Sequence, residues 1–395
     1  MQLINSLSLP TKGSENIFLS DSLHRVLAQD IIAGENSPNF PTSAMDGYAI
    51  QACDQDLSKI KILCDNPAGT QIDQSVSTGF AIKTFTGSLM PQGADTLIPI
   101  ENVTIQDNFI IVNQKVSKGF AIREVGENYK KGEVLIKKGT IIDFAHIGVM
   151  ASLNIVQVKV YQKPIVSIAS TGSEILDLGE PQTNNAQIRS SNHLTLQAIG
   201  TKYGANVIQH GVVNDDKESI LQLLSQALQT SDIVVTTGGV SVGDYDFVKD
   251  IIKESLGCDV LFQGVAIKPG QHVIVASKGT KTIIGLPGFA YSSTVTFFLY
   301  VLPIIFQIKG SNEKLQFVEA KLKDDIIKKG NKTIFTASNL TFNGKEYEVD
   351  FDGKKNGTSA ILTNLLGSCG LVMLDQNSTN LSKGDFVTVL KLGHL

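Results

Sequence analysis

Carboxylates, paired glycines and a lysine on a stiff turn recur in this 395-residue chain just after short apolar runs. Ser170-Thr171-Gly172-Ser173-Glu174 follows the run 165–169, and Val213-Asn214-Asp215-Asp216 follows 207–209. Thr237-Gly238-Gly239-Val240-Ser241-Val242-Gly243-Asp244-Tyr245-Asp246 follows 233–236, and Gly285-Leu286-Pro287-Gly288 follows 282–284. Gly238-Gly239 ahead of a helix lets backbone N–H groups approach an oxyanion at the positive helix end. Glu174, Asp215 and Asp246 supply the hard oxygen donors that hold Mg²⁺ against a phosphate. Lys268-Pro269-Gly270 adds a cation on a stiff turn, suited to a second anion. The implied chemistry is metal-assisted handling of a phosphorylated ligand. No Ser–His–Asp or Cys–His arrangement and no Walker loop is readable, so acyl transfer is not indicated.

Each feature alone has a plainer reading. A Gly-Gly pair after a strand is a tight turn, and Asp215-Asp216 ahead of a helix caps it. Glu174 can cap its own helix, and Pro287-Gly288 can merely stop a strand. Their succession at four strand ends favours a functional reading.

The elements that must position these residues follow from periodicity. Val/Ile runs at 165–169, 207–209, 233–236 and 282–284 alternate with helical patterns at 193–203, 217–228, 247–256 and 292–307. That alternation predicts a parallel sheet covered on both faces, with ligands at the carboxyl ends of its strands. Residues 42–160 read as β, with runs at 59–63, 80–85, 96–100, 109–112 and 133–136 and almost no helical period. The first forty residues carry one helical pattern, 20–28, with Leu23, Val26 and Leu27 on one face. After Gly310, runs at 317–322, 347–351, 371–374 and 386–390 predict a small terminal barrel or sandwich. The fold class expected is multidomain α/β plus β: a central doubly wound, mostly parallel α/β domain, N-terminal β-rich domains and a C-terminal small β-barrel.

Composition narrows the classes. Lys plus Arg is 34 against 38 for Asp plus Glu, a net charge of −4, so no basic field for nucleic acid exists. The greasiest stretch, 295–306, contains Pro303 and falls short of the roughly 20 residues a bilayer requires, so it reads as a buried helix and no membrane is expected. Four cysteines without C-x-x-C spacing predict free thiols in a reducing cytosol. Six dispersed histidines give no zinc spacing. A cytoplasmic protein is expected.

Two further segments read locally as turns: Ser43-Ala44-Met45-Asp46-Gly47-Tyr48-Ala49, and Thr84–Asp95 with its Thr86-Gly87 and Pro91-Gln92-Gly93-Ala94-Asp95. Together with Arg123-Glu124-Val125-Gly126-Glu127, the strand-end loops, Lys268-Pro269-Gly270 and Gly285-Leu286-Pro287-Gly288, they resemble the molybdopterin molybdenumtransferases, a family shared by the carboxy-terminal part of gephyrin. The resemblance runs in order from about Asp21 to Gly310 and continues weakly to the end.

This resemblance implies insertion of molybdate into adenylylated molybdopterin, giving molybdenum cofactor and AMP, with Mg²⁺ as cofactor. It implies a molybdopterin-binding α/β domain at 163–311, an inserted β domain at 38–119, a linker and dimerisation domain from 1–37 plus 120–162, and a barrel at 312–395. It further implies a homodimer whose cleft pairs the α/β domain of one subunit with β domains of the other. Partners would be molybdopterin adenylyltransferase and molybdoenzyme maturation factors. Asp46, Thr86, Glu174, Asp215, Asp246 and Lys268 become the catalytic candidates, with Glu174, Asp215 and Asp246 holding the metal. Thr171, Gly172, Gly238, Gly239, Ser241, Pro287, Gly288 and Ser292 become the ligand-binding set.

The chain departs from the family pattern at Phe289-Ala290, at Gly264 and Val349 where a basic residue is usual, and at Asn128. A non-catalytic dimeric scaffold or carrier of the cofactor is the alternative. The related adenylyltransferases and competence-damage deamidases share the α/β core but not the Ser43–Ala49 domain.

Overall fold

The computed structural model describes Ile4 and residues 9–240, 247–355 and 359–393. The chain forms two compact units. One comprises Met1–Ala28, Gly139–Asp143 and Gln157–Leu395, and the other comprises Gln29–Lys138 and Phe144–Val156.

The core of the larger unit is a six-stranded sheet. Its strands are β1 (Ile165–Thr171), β2 (Asn206–Val213), β3 (Ile233–Thr237), β4 (Asp259–Gln263), β5 (Ile274–Lys278) and β6 (Lys281–Leu286), in the spatial order β2-β1-β3-β6-β5-β4. The first four in that order run parallel. β5 and β4 are antiparallel additions at one edge, which the apolar runs did not disclose. Alternating exposure along β4 explains the miss: its pattern is that of a half-wet edge strand, not a buried parallel one. Helices α1 (Asn192–Lys202), α2 (Lys217–Thr230) and α3 (Ala290–Ile308) fall where the sequence places them. In α2 the buried residues Ile220, Leu224, Ala227 and Leu228 form the face turned to the sheet. Asp216 caps that helix by accepting the Ser219 N–H at 2.8 Å, and this hydrogen bond holds its carboxyl below the ordinary 3.8.

Helix α3 is long and apolar enough to cross a bilayer by length and composition, yet nearly all of it is buried inside the fold. It is the central core element. Its Val295, Phe297 and Leu299 share one cluster with Val166 and Ile168 of β1 and with Phe335, Leu371 and Leu390 of the terminal domain. Phe297→Ala should therefore cost about 3–5 kcal/mol, read as a lower urea midpoint.

The terminal domain is a closed five-stranded barrel: Thr333–Phe342, Tyr347–Asp350, Phe317–Leu322, Phe386–Lys391 and Cys369–Leu374 pair in a ring that returns to Thr333–Phe342. Four of these strands were legible. The ten-residue Thr333–Phe342 was not, because Thr336, Ser338 and Asn339 interrupt its apolar pattern; Ser338 is buried and donates to Gly370 O. Val349 is fully buried in the barrel core, where no cation is placed.

Residues 20–28 do not form the expected helix. A 3₁₀ turn covers Leu19–Asp21, His24 sits at φ +62°, and Val26 and Leu27 form bridges to Ile141 and Val160. Leu23 is 47% exposed, so the presumed apolar face does not exist. Tertiary pairing overrides a short local pattern.

The second unit holds a six-stranded sheet ordered Thr96–Pro99, Gly47–Ile50, Phe80–Thr84, Ile60–Asn66, Phe109–Val112 and Val103–Gln106. It also contains the helix Phe144–Ser152, which the β reading of 42–160 omitted. Its single fully buried residue, Met150, gives too weak a face to register as a helical period.

Candidate active site

The order of the parallel strands reverses between β1 and β3, since the crossover after β1 goes to β2 on one side and the next goes to β3 on the other. Such a switch point opens a crevice at the carboxyl ends of the strands. The residues there are Thr171-Gly172 after β1 and Gly238-Gly239 after β3.

These loops touch. Gly238 has φ +97°, and a Cβ on it would lie 2.6 Å from Thr171 O and 2.9 Å from Thr171 Oγ1. Its N–H donates to Leu286 O at 3.0 Å, and its Cα lies 3.6 Å from the Cβ position of Gly288. Beneath them Ser170 Oγ and Thr237 Oγ1 hydrogen-bond at 3.0 Å. Three strand ends thus converge on Thr171, Gly238 and Gly288, leaving backbone edges where side chains would otherwise stand.

Glu174 is exposed, and its Oε2 folds back to 2.9 Å from where a Cβ on Gly172 would be. Asp215 is half-buried two residues beyond β2. Ser241 and Asp246 lie outside the described residues. Among the described residues no three His, Cys, Asp or Glu side chains converge as a metal site. The donor chemistry of Glu174 and Asp215 nevertheless suits a hard divalent ion, and the missing side chain at Gly172 is what lets the glutamate fold back over the loop.

The loop 264–273 approaches from the other side. Lys268 is exposed, Pro269 and Gly270 are buried, and a Cβ on Gly270 would meet Thr296 Cγ2 at 2.3 Å and Ser292 O at 3.8 Å. The lysine turn is therefore seated on the first turns of α3, just after Pro287-Gly288. Ser292 itself is buried in that helix.

Sequence reasoning missed the parts that tie these loops down. Asn192 Nδ2 donates to Gly288 O at 2.7 Å, joining the start of α1 to the Pro287-Gly288 loop. His193, 2% exposed, places Nδ1 2.7 Å from Ser190 Oγ and Nε2 3.2 Å from Asp177 Oδ1. A Ser–His–Asp row is thus present after all. The buried imidazole ties Ser190 and Asp177 together as a clasp on the loop between β1 and α1. The signal in the sequence was Ser-x-x-His at a helix start, two residues three positions apart that the first turn brings together.

In the other unit Asp46 Oδ1 accepts both the N–H and the Oγ–H of Thr86, each at 2.7 Å. These two bonds, the backbone one first, hold the Asp46 carboxyl below its ordinary 3.8, with a smaller contribution from the Lys83 ammonium. The turn is fixed by Gly87 N–H to Ser43 O at 2.8 Å and Ser43 N–H to Ser88 O at 2.9 Å. Gly47 is not a turn residue as expected: it begins a strand where a Cβ would lie 2.3 Å from Ile98 O.

A surface cavity of about 560 Å³ lies elsewhere, on the barrel, among Lys321, Lys323, Glu348 and Asp350. Lys323 stands 3.7 Å from Glu348 and 3.8 Å from Asp350, so these charges satisfy one another and the cavity is no rival to the strand-end cluster.

Comparison with known proteins accounts for this arrangement. Residues 1–154 match the MoeA N-terminal region (domain I and II), 167–307 a probable molybdopterin binding domain, and 319–392 the MoeA C-terminal region (domain IV). The molybdopterin molybdenumtransferase of Staphylococcus aureus (strain Mu50) is 33% identical over 382 residues, covering 95% of this chain and 90% of its own. That of Haemophilus influenzae is 30% identical over 399 residues, covering 100% and 97%. The crystal structure of the molybdopterin biosynthesis MoeA protein of Pyrococcus horikoshii superposes with a TM-score of 0.83 at 29% identity, over 99% of this chain and 97% of that one. With relatives of this similarity along nearly its whole length, and its three regions matched in order, the chain belongs to the molybdopterin molybdenumtransferase family.

Proposed function

We propose that the chain transfers molybdenum from molybdate to adenylylated molybdopterin, releasing molybdenum cofactor and AMP. The observation that carries this reading is the meeting of the Thr171, Gly238 and Gly288 loops at the switch point of the sheet. The close backbone approach there, with no side chain at Gly238 or Gly288, suits a phosphate, and Lys268 offers a cation to a second oxyanion. Thr171, Gly172, Gly239, Ser241, Pro287 and Ser292 complete the ligand-binding set in this reading.

Mg²⁺ would be held by Glu174, Asp215 and Asp246 and would offset phosphate charge during cleavage of the phosphoanhydride. Asp46, whose carboxyl the Thr86 bonds orient and hold below its ordinary value, contributes a fixed anionic acceptor. The Asn192–Gly288 bond and the His193 clasp hold the loops in place while charge develops, which is how a preorganised site lowers a barrier. The same reading takes the protein as a cytoplasmic homodimer that receives its pterin from molybdopterin adenylyltransferase and delivers to molybdoenzyme maturation factors. The domain boundaries proposed from the sequence belong to it as well.

The test is direct. Purified protein incubated with adenylylated molybdopterin, molybdate and Mg²⁺ should release AMP stoichiometrically with cofactor. Removing the divalent ion with EDTA should lower that rate at least about 100-fold. Binding of the pterin without any AMP release would favour the scaffold instead.

A further inference from the structure

The hairpin that carries Lys268 receives a second ammonium from the terminal barrel. Thr333 N–H donates to Ala266 O at 3.0 Å, and Ile267 and Lys268 pair in parallel with Thr333 and Ile334. Period-two alternation then puts Lys332 and Lys268 on the same face of this ribbon, with Cα atoms roughly 8 Å apart from the inter-strand spacing and two rises. Lys332 Nζ hydrogen-bonds Gln271 Oε1. Gln271 O in turn accepts the Val265 N–H at 3.0 Å across the hairpin, so the ammonium is held against the loop instead of extending into solvent. Beside it Gly264 bears no side chain, and a Cβ there would meet only Gln271 O, at 3.9 Å. The strand that brings Lys332 is itself anchored, because Tyr291 of α3 donates its OH to Phe335 O at 3.0 Å.

We propose that Lys332 is a second cation of the oxyanion site, acting with Lys268 on molybdate, and that Gln271 positions it. The inference rests on the molybdenumtransferase reading for the identity of the anion. A neutral glutamine occupies one of the three ammonium donors and leaves two for a ligand. Two fixed positive charges match the two negative charges of a tetrahedral dianion, and the open space at Gly264 leaves the anion room to sit between loop and barrel.

The experiment is equilibrium dialysis of molybdate against the full chain and its variants. Lys332→Gln should weaken molybdate binding about tenfold, equivalent to about 1.4 kcal/mol, while Lys332→Arg stays within about threefold of the unaltered chain. Lys253, whose Nζ bonds Gln263 Oε1 at 2.6 Å on the same hairpin, controls for simple loss of a positive charge. Lys253→Gln should change the affinity by less than about twofold. If Lys332→Gln fails to fold, Gln271→Leu, which releases the ammonium, should give about threefold weaker binding. Equal affinity in Lys332→Gln, an equal loss in Lys253→Gln, or no molybdate binding by the unaltered chain overturns the proposal. AMP release by the unaltered chain, measured in parallel, tests the transferase reading separately. Its absence alongside a preserved Lys332 effect would leave an oxyanion site that serves some other reaction.

Discussion

Asp46→Ala should abolish AMP release, by at least about 100-fold, while leaving the urea midpoint of the protein unchanged. The side chain is exposed, so its removal opens no cavity. What is lost is an acceptor that Thr86 fixes with two 2.7 Å bonds. Thr86→Ala should cost less than Asp46→Ala, since the backbone N–H survives it. The bonds also set a pH expectation. They hold the Asp46 carboxyl below 3.8, so it stays ionised where a free aspartate begins to protonate. Any stability linked to it is present above the unfolded value and is lost only as the pH falls through the depressed folded one. Thr86→Ala should therefore move the acid limb of the pH–rate profile upward. An Asp46→Ala enzyme with ordinary turnover would remove this residue from the mechanism.

Gly238→Ala should destabilise the larger unit by at least about 2 kcal/mol and abolish detectable turnover. Two effects act together. An L side chain at φ +97° is strained by about 1–3 kcal/mol, and its Cβ would press on Thr171 O at 2.6 Å. Backbone cannot swing aside as a flexible side chain can, so the β1 and β3 loops must part. Gly279→Ala provides the comparison. That glycine also has positive φ, +62°, but has nothing within 4 Å of its Cβ position. It should show strain alone, lowering the urea midpoint slightly and leaving AMP release intact. If both variants behave alike, contact at the switch point is not what shapes the crevice.

The sheet was legible because parallel strands bury both faces. Ile233, Val234 and Val235 form a continuous buried apolar run, and in 165–169 the single buried Ser167 is the only break. The glycines after them were legible for the converse reason, since close backbone approach excludes every other residue. Elements whose stability is tertiary were not legible. Val26 and Leu27 look helical by spacing, yet they are held by partners more than a hundred residues away. Thr333–Phe342 hides its strand behind hydroxyl and amide side chains that its barrel neighbours satisfy. At the site, Glu174, Asp215 and the Gly238 loop could be named from their place after apolar runs. Asn192 and Lys332 could not, because each acts through a contact with a residue far along the chain or in another domain, and of the His193 clasp only the Ser190 half is written locally. Asp46 and Thr86 stand between these cases: locally they read as turn residues, and only the family resemblance singled them out.

The shared cluster that joins Phe335, Ala337, Leu371 and Leu390 to Val295 and Phe297 bears on how such proteins can be recombined. A barrel whose outer wall doubles as the lid over the most apolar helix of the neighbouring domain is not a portable module. Chimeras that exchange it between relatives must carry a matching helix with it. A break placed between residues 308 and 317 would strand a greasy cylinder in water.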